Sequence, residues 1–280
     1  MEIIFANSKE EAERALEKGF EPVECAFGRD SVIGPLKLDH HGEYSHLEAV
    51  SISAAKLALE GITQDKFVVT GKADCDQCYA IAALNERIPI DLDEARAIAE
   101  MDVDPIGRDL TSERYLKYLM FHQITRDLPN CLNSTKKALE ELVRIFNNEF
   151  DQTDVQRAIS KEHKRRKTVK EERVELEPGK ISLVNSKEWG YDVWYQEAPI
   201  VVAYSQVDKT VTLGLCPKSG GLLGDKTGYD LIGQEGLIPI YEVLGPGWGG
   251  RDVIGGSPRG QEMSFEDAKT AFETIKKIIK

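Results

Sequence analysis

Apolar positions near the N-terminus alternate between short β-branched runs and stretches with helical spacing. Residues 3–6 read as a strand, and Ser8, followed by Glu10 and Glu11, reads as the start of a helix that reaches Lys18 and stops at Gly19. A second strand is expected at 23–27, a further apolar piece at Leu36 and Leu38, and helical periodicity over 46–59, ending at Gly61. The compact run 67–70 is another strand, and the apolar spacing over 79–84 is helical. Such alternation predicts an α/β fold with a mostly parallel sheet and helices on both faces. Helices are expected next at 92–101, 111–122 and 134–150, the last capped by Ser134.

The pattern then changes twice. Residues 161–170 are strongly basic and the flanking stretch stays charged until Pro178-Gly179, which reads as a helical linker. Beyond it, short β-patterned runs at 181–184, 193–195, 200–204 and 211–215 are separated by turn residues, and a helix over 265–279 closes the chain. The expected organisation is an α/β domain over 1–150, a charged linker over 151–178, and a smaller α+β domain over 179–280 across a cleft.

A length of 280 residues suits two unequal domains, and no apolar run approaches the roughly 18 residues a membrane span needs. Met1 leads straight into Glu2 without the layout of a signal peptide, so a cytoplasmic location is expected and no membrane partner. Five scattered cysteines do not make a disulfide framework. A formal charge of -12 opposes a protein that coats duplex nucleic acid, yet leaves room for a small phosphorylated substrate or a short single-stranded oligonucleotide. Assembly into a homo-oligomer is compatible with the sequence.

Candidate chemistry concentrates at Asp39-His40-His41-Gly42, where an acid and two adjacent imidazoles follow an apolar run. Divalent metals that activate water take carboxylate and neutral imidazole ligands, which this segment supplies within three residues. Asp74 and Asp76 form a second acidic point after a strand, and Asp102 and Asp104 a third. Ligands of open α/β sheets sit beyond the carboxyl ends of strands, where the first two clusters fall. A ligand set without thiolate suits Mn²⁺, with Co²⁺, Mg²⁺ or Zn²⁺ as alternatives, one or two ions per chain. Cys75 and Cys78, with His40 or His46, offer a rival structural zinc site. Near the C-terminus, Gly249, Gly250, Arg251, Gly255, Gly256 and Arg259 combine close backbone approach with guanidinium groups suited to phosphate.

Through Asp39-His40-His41-Gly42, Asp74-Cys75-Asp76 with the helical run behind it, and Gly249-Gly250-Arg251 with Gly255-Gly256, the chain resembles the DHH phosphoesterases with a DHH-associated C-terminal domain. The resemblance implies a manganese cluster in the N-terminal domain and a glycine-rich loop that grips substrate from the smaller one. It implies hydrolysis of a phosphate ester in a small nucleotide, a short oligonucleotide or a pyrophosphate-type substrate, with His40, His41 and Asp76 as catalytic groups. Three departures stand out. The Asp-x-Asp segment follows the Asp-His-His instead of preceding it, Thr70 stands where the family carries a histidine, and Arg251 replaces the histidine of the C-terminal glycine motif. A non-catalytic nucleotide or phosphate binder is the alternative motivated by Thr70, and a nucleic-acid interaction protein using Lys164-Arg165-Arg166-Lys167 is a third.

Overall fold

The computed structural model describes residues 1–27, 30–41, 44, 46–103, 108–216, 227–258 and 261–279. The chain forms two compact units, one of residues 1–160 apart from a short segment at Arg108, the other of residues 161–280 together with Arg108. Among the described residues no helix is long and apolar enough to cross a membrane.

The first unit contains β1 (Glu2–Phe5), α1 (Lys9–Glu17), β2 (Glu21–Val23), β3 (Cys25–Phe27), β4 (Asp30–Val32), α2 (Val50–Leu59), β5 (Lys66–Val69), α3 (Cys75–Leu84), α4 (Leu92–Val103), α5 (Leu116–Thr125), α6 (Leu132–Phe146) and the start of α7 (Gln152–Glu171). Strands β1, β5 and β2 form a parallel sheet in that order, with Phe67 of β5 opposite both Ile3 and Glu21. Successive side chains of β5 point to opposite faces. Val68 packs with Ala12, Ala15 and Phe20 on the α1 side, while Phe67 and Val69 join Tyr79 and Ala83 of α3 in the larger core. With both faces covered, all three apolar residues of β5 are buried, as a parallel strand requires.

Val23 makes a single parallel bridge with Leu38, and the Glu24 N–H donates to the Leu38 carbonyl at 2.9 Å. The piece bearing Asp39 therefore runs alongside β2 and ends at the same edge of the sheet.

Four local expectations change, the last of them in the second unit. The helix expected from residue 46 begins at Val50, because its first amides are held there by a carboxylate from α3. Helix α6 starts at Leu132 with Cys131 as its cap residue, so Ser134 lies buried inside the helix. Its amphipathic stripe, Ala138, Leu139, Leu142, Ile145 and Phe146, joins the main core. The charged stretch after the basic run is part helix and part strand: α7 ends at Glu171, and the second unit continues as β6 (Arg173–Glu177).

In that unit β7 (Ile181–Ser186), α8 (Tyr191–Trp194), β8 (Ile200–Ser205), β9 (Thr210–Leu215), α9 (Gly228–Ile232), α10 (Ile238–Leu244), β10 (Gly249–Gly250), β11 (Ile254–Gly256) and α11 (Phe265–Ile278) follow β6. The sheet order is β10-β11-β9-β8-β7-β6, with β7 and β8 parallel and the other neighbours antiparallel. Charges on β6 fit its place at the sheet edge, where they discourage pairing with another chain. Helix α11, opened by a reciprocal cap between Ser264 and Asp267, lays Ala268, Ala271, Phe272 and Ile275 on one face. Residues 193–195, expected as a strand, belong to the short helix α8 and the residue after it. Burial decides the matter: Tyr191, Val193 and Trp194 face inward together, and the Trp194 indole N–H reaches the Val169 carbonyl at 3.0 Å. A helical turn brings the three side chains to one side, whereas strand alternation would expose one of them.

Candidate metal centre

Four segments deliver ionisable side chains to the carboxyl edge of the parallel sheet: Glu24 directly after β2, Asp39 to His41 after the Leu38 bridge, Asp74 and Asp76 after β5, and Asp102 in the last turn of α4. His40 is the hub. Its Nε2 lies 3.2 Å from Glu24 Oε1, 3.2 Å from Asp102 Oδ2 and 3.7 Å from Asp76 Oδ2. Among the described residues, two groups of three bring one donor atom each within 4.8 Å of the others, Glu24 with His40 and His41, and His40 with Asp76 and Asp102.

Each acid is held by a different local device. Asp74 is the N-cap of α3, its Oδ1 accepting the Gln77 N–H at 2.8 Å. Asp76, in the first turn of that helix and fully buried, caps a second helix instead: its oxygens accept the Val50 and Ser51 N–H groups of α2 at 2.9 and 3.0 Å. The Asp-x-Asp pair is thus spread over two helix N-termini instead of one irregular turn. Asp39, 1 % exposed, uses one oxygen twice, taking the His41 backbone N–H at 2.7 Å and facing its Nδ1 at 3.1 Å. That contact directs the Nδ1 proton to the acid and leaves Nε2 as the available atom of His41.

The electrostatics describe a centre short of positive charge. Burial, and next the charge of Asp76, raises Asp74 to about 7. Burial likewise raises Asp76, and it pushes Glu24 well above the carboxylate range with help from Asp74. Hydrogen bonds to Asp102 and then Glu24 raise His40 to about 11, so that it carries a proton that a bound cation would displace. Glu24 Oε2 and Asp39 Oδ2 are buried without a hydrogen-bond partner. Packed acids with unmatched oxygens beside an imidazole fit a divalent cation, and the donors are oxygen and nitrogen only.

Of the sequence candidates, His40, His41, Asp76 and Asp102 meet in these groups, while Asp39 and Asp74 stand next to them as holders of His41 and of α3. Asp104 and Arg259 lie outside the described residues, as does Gly42. His46 is exposed and belongs to neither group. Cys75 and Cys78 are buried in the core, their thiols pushed up by burial, and neither joins a metal group among the described residues. Thr70 donates its hydroxyl to the Ala6 carbonyl at 2.8 Å and so ties β5 to β1. Glu24 is the residue the sequence reading missed. Its signal was position alone, an acid at the carboxyl end of a strand beside two others that were recognised.

In the second unit, β10 and β11 make an edge hairpin with Gly249 opposite Gly256 and Gly250 opposite Gly255. A Cβ on Gly255 would fall 2.2 Å from the Tyr241 hydroxyl oxygen, and one on Gly256 would fall 2.5 Å from the Val211 carbonyl oxygen. These glycines allow close approach within their own sheet. Arg251 closes the hairpin, its N–H donating to the Ile254 carbonyl at 2.7 Å and its carbonyl accepting from Tyr241, with the residue exposed. The basic run on α7 is partly spent internally: Arg165 pairs with Glu162 and Asp192, and Arg166 with Glu162 and the Arg108 carbonyl.

No family model matches the chain, and no curated protein does. Among solved structures, a pGpG-specific phosphodiesterase, PggH from Vibrio cholerae, is similar at 12% identity and a TM-score of 0.42, over 82% of this chain and 97% of that one.

Proposed function

We propose that the protein is a metal-dependent phosphoesterase acting on a small nucleotide phosphate, a short oligonucleotide or a pyrophosphate-type substrate. The observation that carries this reading is the convergence of His40, Asp76 and Asp102, from three separate segments, on one set of donor atoms at the carboxyl edge of the parallel sheet. His40, Asp76 and Asp102 would hold the cation, with Mn²⁺ the best match to mixed nitrogen and oxygen donors. When bound, such an ion activates water and stabilises charge on phosphoryl oxygens. Asp76 ties the centre to α2, and Asp74 fixes the start of α3 beside it. His41, more exposed than His40, presents Nε2 as the atom that accepts or delivers a proton during ester cleavage, with Asp39 holding the ring. Arg251, exposed on its glycine hairpin, is the group proposed to bind a substrate phosphate.

The test is direct. Purified protein with Mn²⁺ is incubated with a dinucleotide, a short single-stranded oligonucleotide, nucleoside phosphates and pyrophosphate, and product is followed by chromatography. Turnover that a chelator removes and His41→Ala abolishes is expected, with Mn²⁺ binding retained in the variant. Absence of turnover on every substrate with every divalent metal overturns the proposal.

A second reading, a phosphate or nucleotide binder without turnover, is favoured by Thr70, whose hydroxyl is committed to Ala6 where the family resemblance implies a metal-binding histidine. Calorimetric binding of nucleotide without hydrolysis is its expected signature.

A further inference from the structure

Among the charged groups around His40, Glu24 is the one whose conformation is hardest to explain by folding alone. Its backbone lies in the left-handed region at φ 53°, a conformation that costs a non-glycine residue about 1 kcal/mol or more. Its side chain is 6 % exposed, with Oε1 3.2 Å from His40 Nε2 and Oε2 buried without a donor. The Asp74 carboxyl stands beside it.

A structural role accounts for only part of this. Balancing His40 requires one carboxylate oxygen, and Asp102 already offers one at the same 3.2 Å. A fold-stabilising acid would have both oxygens matched, since an unpaired buried oxygen is costly. The strained turn keeps the carboxylate aimed at the cluster, and its spare oxygen is what a cation would use.

We propose that Glu24 is a ligand of the metal centre, supplied from outside the Asp-His-His and Asp-x-Asp segments; this rests on the metal-binding reading of the cluster given above. Glu24 and His40 then belong to one centre with Asp76 and Asp102.

The test uses full-length protein, Mn²⁺ alone by equilibrium dialysis, and the visible absorption of the Co²⁺-loaded form, which reports the ligand set. Glu24→Gln keeps the side-chain shape and removes the charge. At least a tenfold rise in the Mn²⁺ dissociation constant, the low end of what even an outer-sphere partner of a metal ligand costs, together with a changed Co²⁺ spectrum, is the expected result. A smaller rise, or an unchanged spectrum, overturns the assignment. Should Glu24→Gln fail to fold, Glu24→Gly, at ease at a positive φ, is read by the same two measurements. If the wild type binds no divalent metal, this assignment and the phosphoesterase proposal fall together. If it binds Mn²⁺ and hydrolyses substrate while Glu24→Gln binds as tightly, only the Glu24 assignment falls.

Discussion

Asp39 grips His41 through a single oxygen, which takes the backbone N–H at 2.7 Å and faces Nδ1 of the ring at 3.1 Å. The acid thereby fixes both the turn and the tautomer of its second neighbour, while its other oxygen stays buried without a partner. Asp39→Asn keeps the shape and removes the charge that faces Nδ1 of the ring. We expect turnover lower by about 10- to 100-fold, with Mn²⁺ binding and circular dichroism unchanged. Equal turnover in the variant would limit Asp39 to shaping the turn.

Asp76 is a cap as well as a candidate ligand. Helix α2 has no side-chain cap of its own at Ala49, so the Val50 and Ser51 amides depend on Asp76. In metal-free protein Asp76→Ala should therefore destabilise by about 1–3 kcal/mol, the usual cost of stranded buried donors. Urea unfolding under chelator measures it, and a stability equal to wild type would refute the capping role.

Glu21 gives the first unit a pH dependence away from the metal groups. Buried in β2, with Oε1 accepting the Leu36 N–H at 2.9 Å, its carboxyl is raised by burial from 4.5 to about 7. The folded state thus holds this proton more tightly than the unfolded chain. The associated stability is fully present below about pH 4.5 and lost as pH rises to about 7. Glu21→Gln keeps the acceptor and removes the titration, so its melting temperature should exceed wild type at pH 8 by more than at pH 5. A difference on the order of 1 kcal/mol is expected, and parallel pH profiles for the two proteins would contradict it.

In the second unit Glu162 is buried and accepts from Arg165 at 2.8 Å and from Arg166 at 2.8 Å. Removing one partner of a buried ion network leaves charge unmatched, so Glu162→Ala should cost about 3 kcal/mol. Exposed Lys167, paired only loosely with Glu171 at 3.8 Å, should change stability by less than about 0.5 kcal/mol when replaced by alanine. Chemical denaturation of both variants separates a structural Arg165–Arg166 pair from a free basic face.

Much of the fold was legible because its signals are local. Ser8 and Ser264 open helices as their side chains suggest, and the β-branched run of β5 is a strand between covered faces. Residues 193–195 misled for the same reason: aromatic and β-branched residues favour strands, but inward packing of Tyr191 and Trp194 against Val169 overrode that preference. The basic run on α7 read as one surface, yet neighbours distant in the chain, such as Asp192, draw Arg165 into the unit.

For the site, sequence by itself determined the chemistry of two segments, since Asp39-His40-His41 and Asp74-Cys75-Asp76 each carry ligand types at short spacing that survives any folding of the rest. Tertiary structure alone decided which acids share a centre. Parallel pairing stacks the carboxyl ends of β2, β5 and the Leu38 piece at one edge, and so brings Glu24, 16 residues before His40 and one of 48 acidic residues, into contact with it. It also turned Asp76 toward the amides of α2. Spacing along a chain fixes what a short segment can offer, whereas the register of distant strands fixes what it meets.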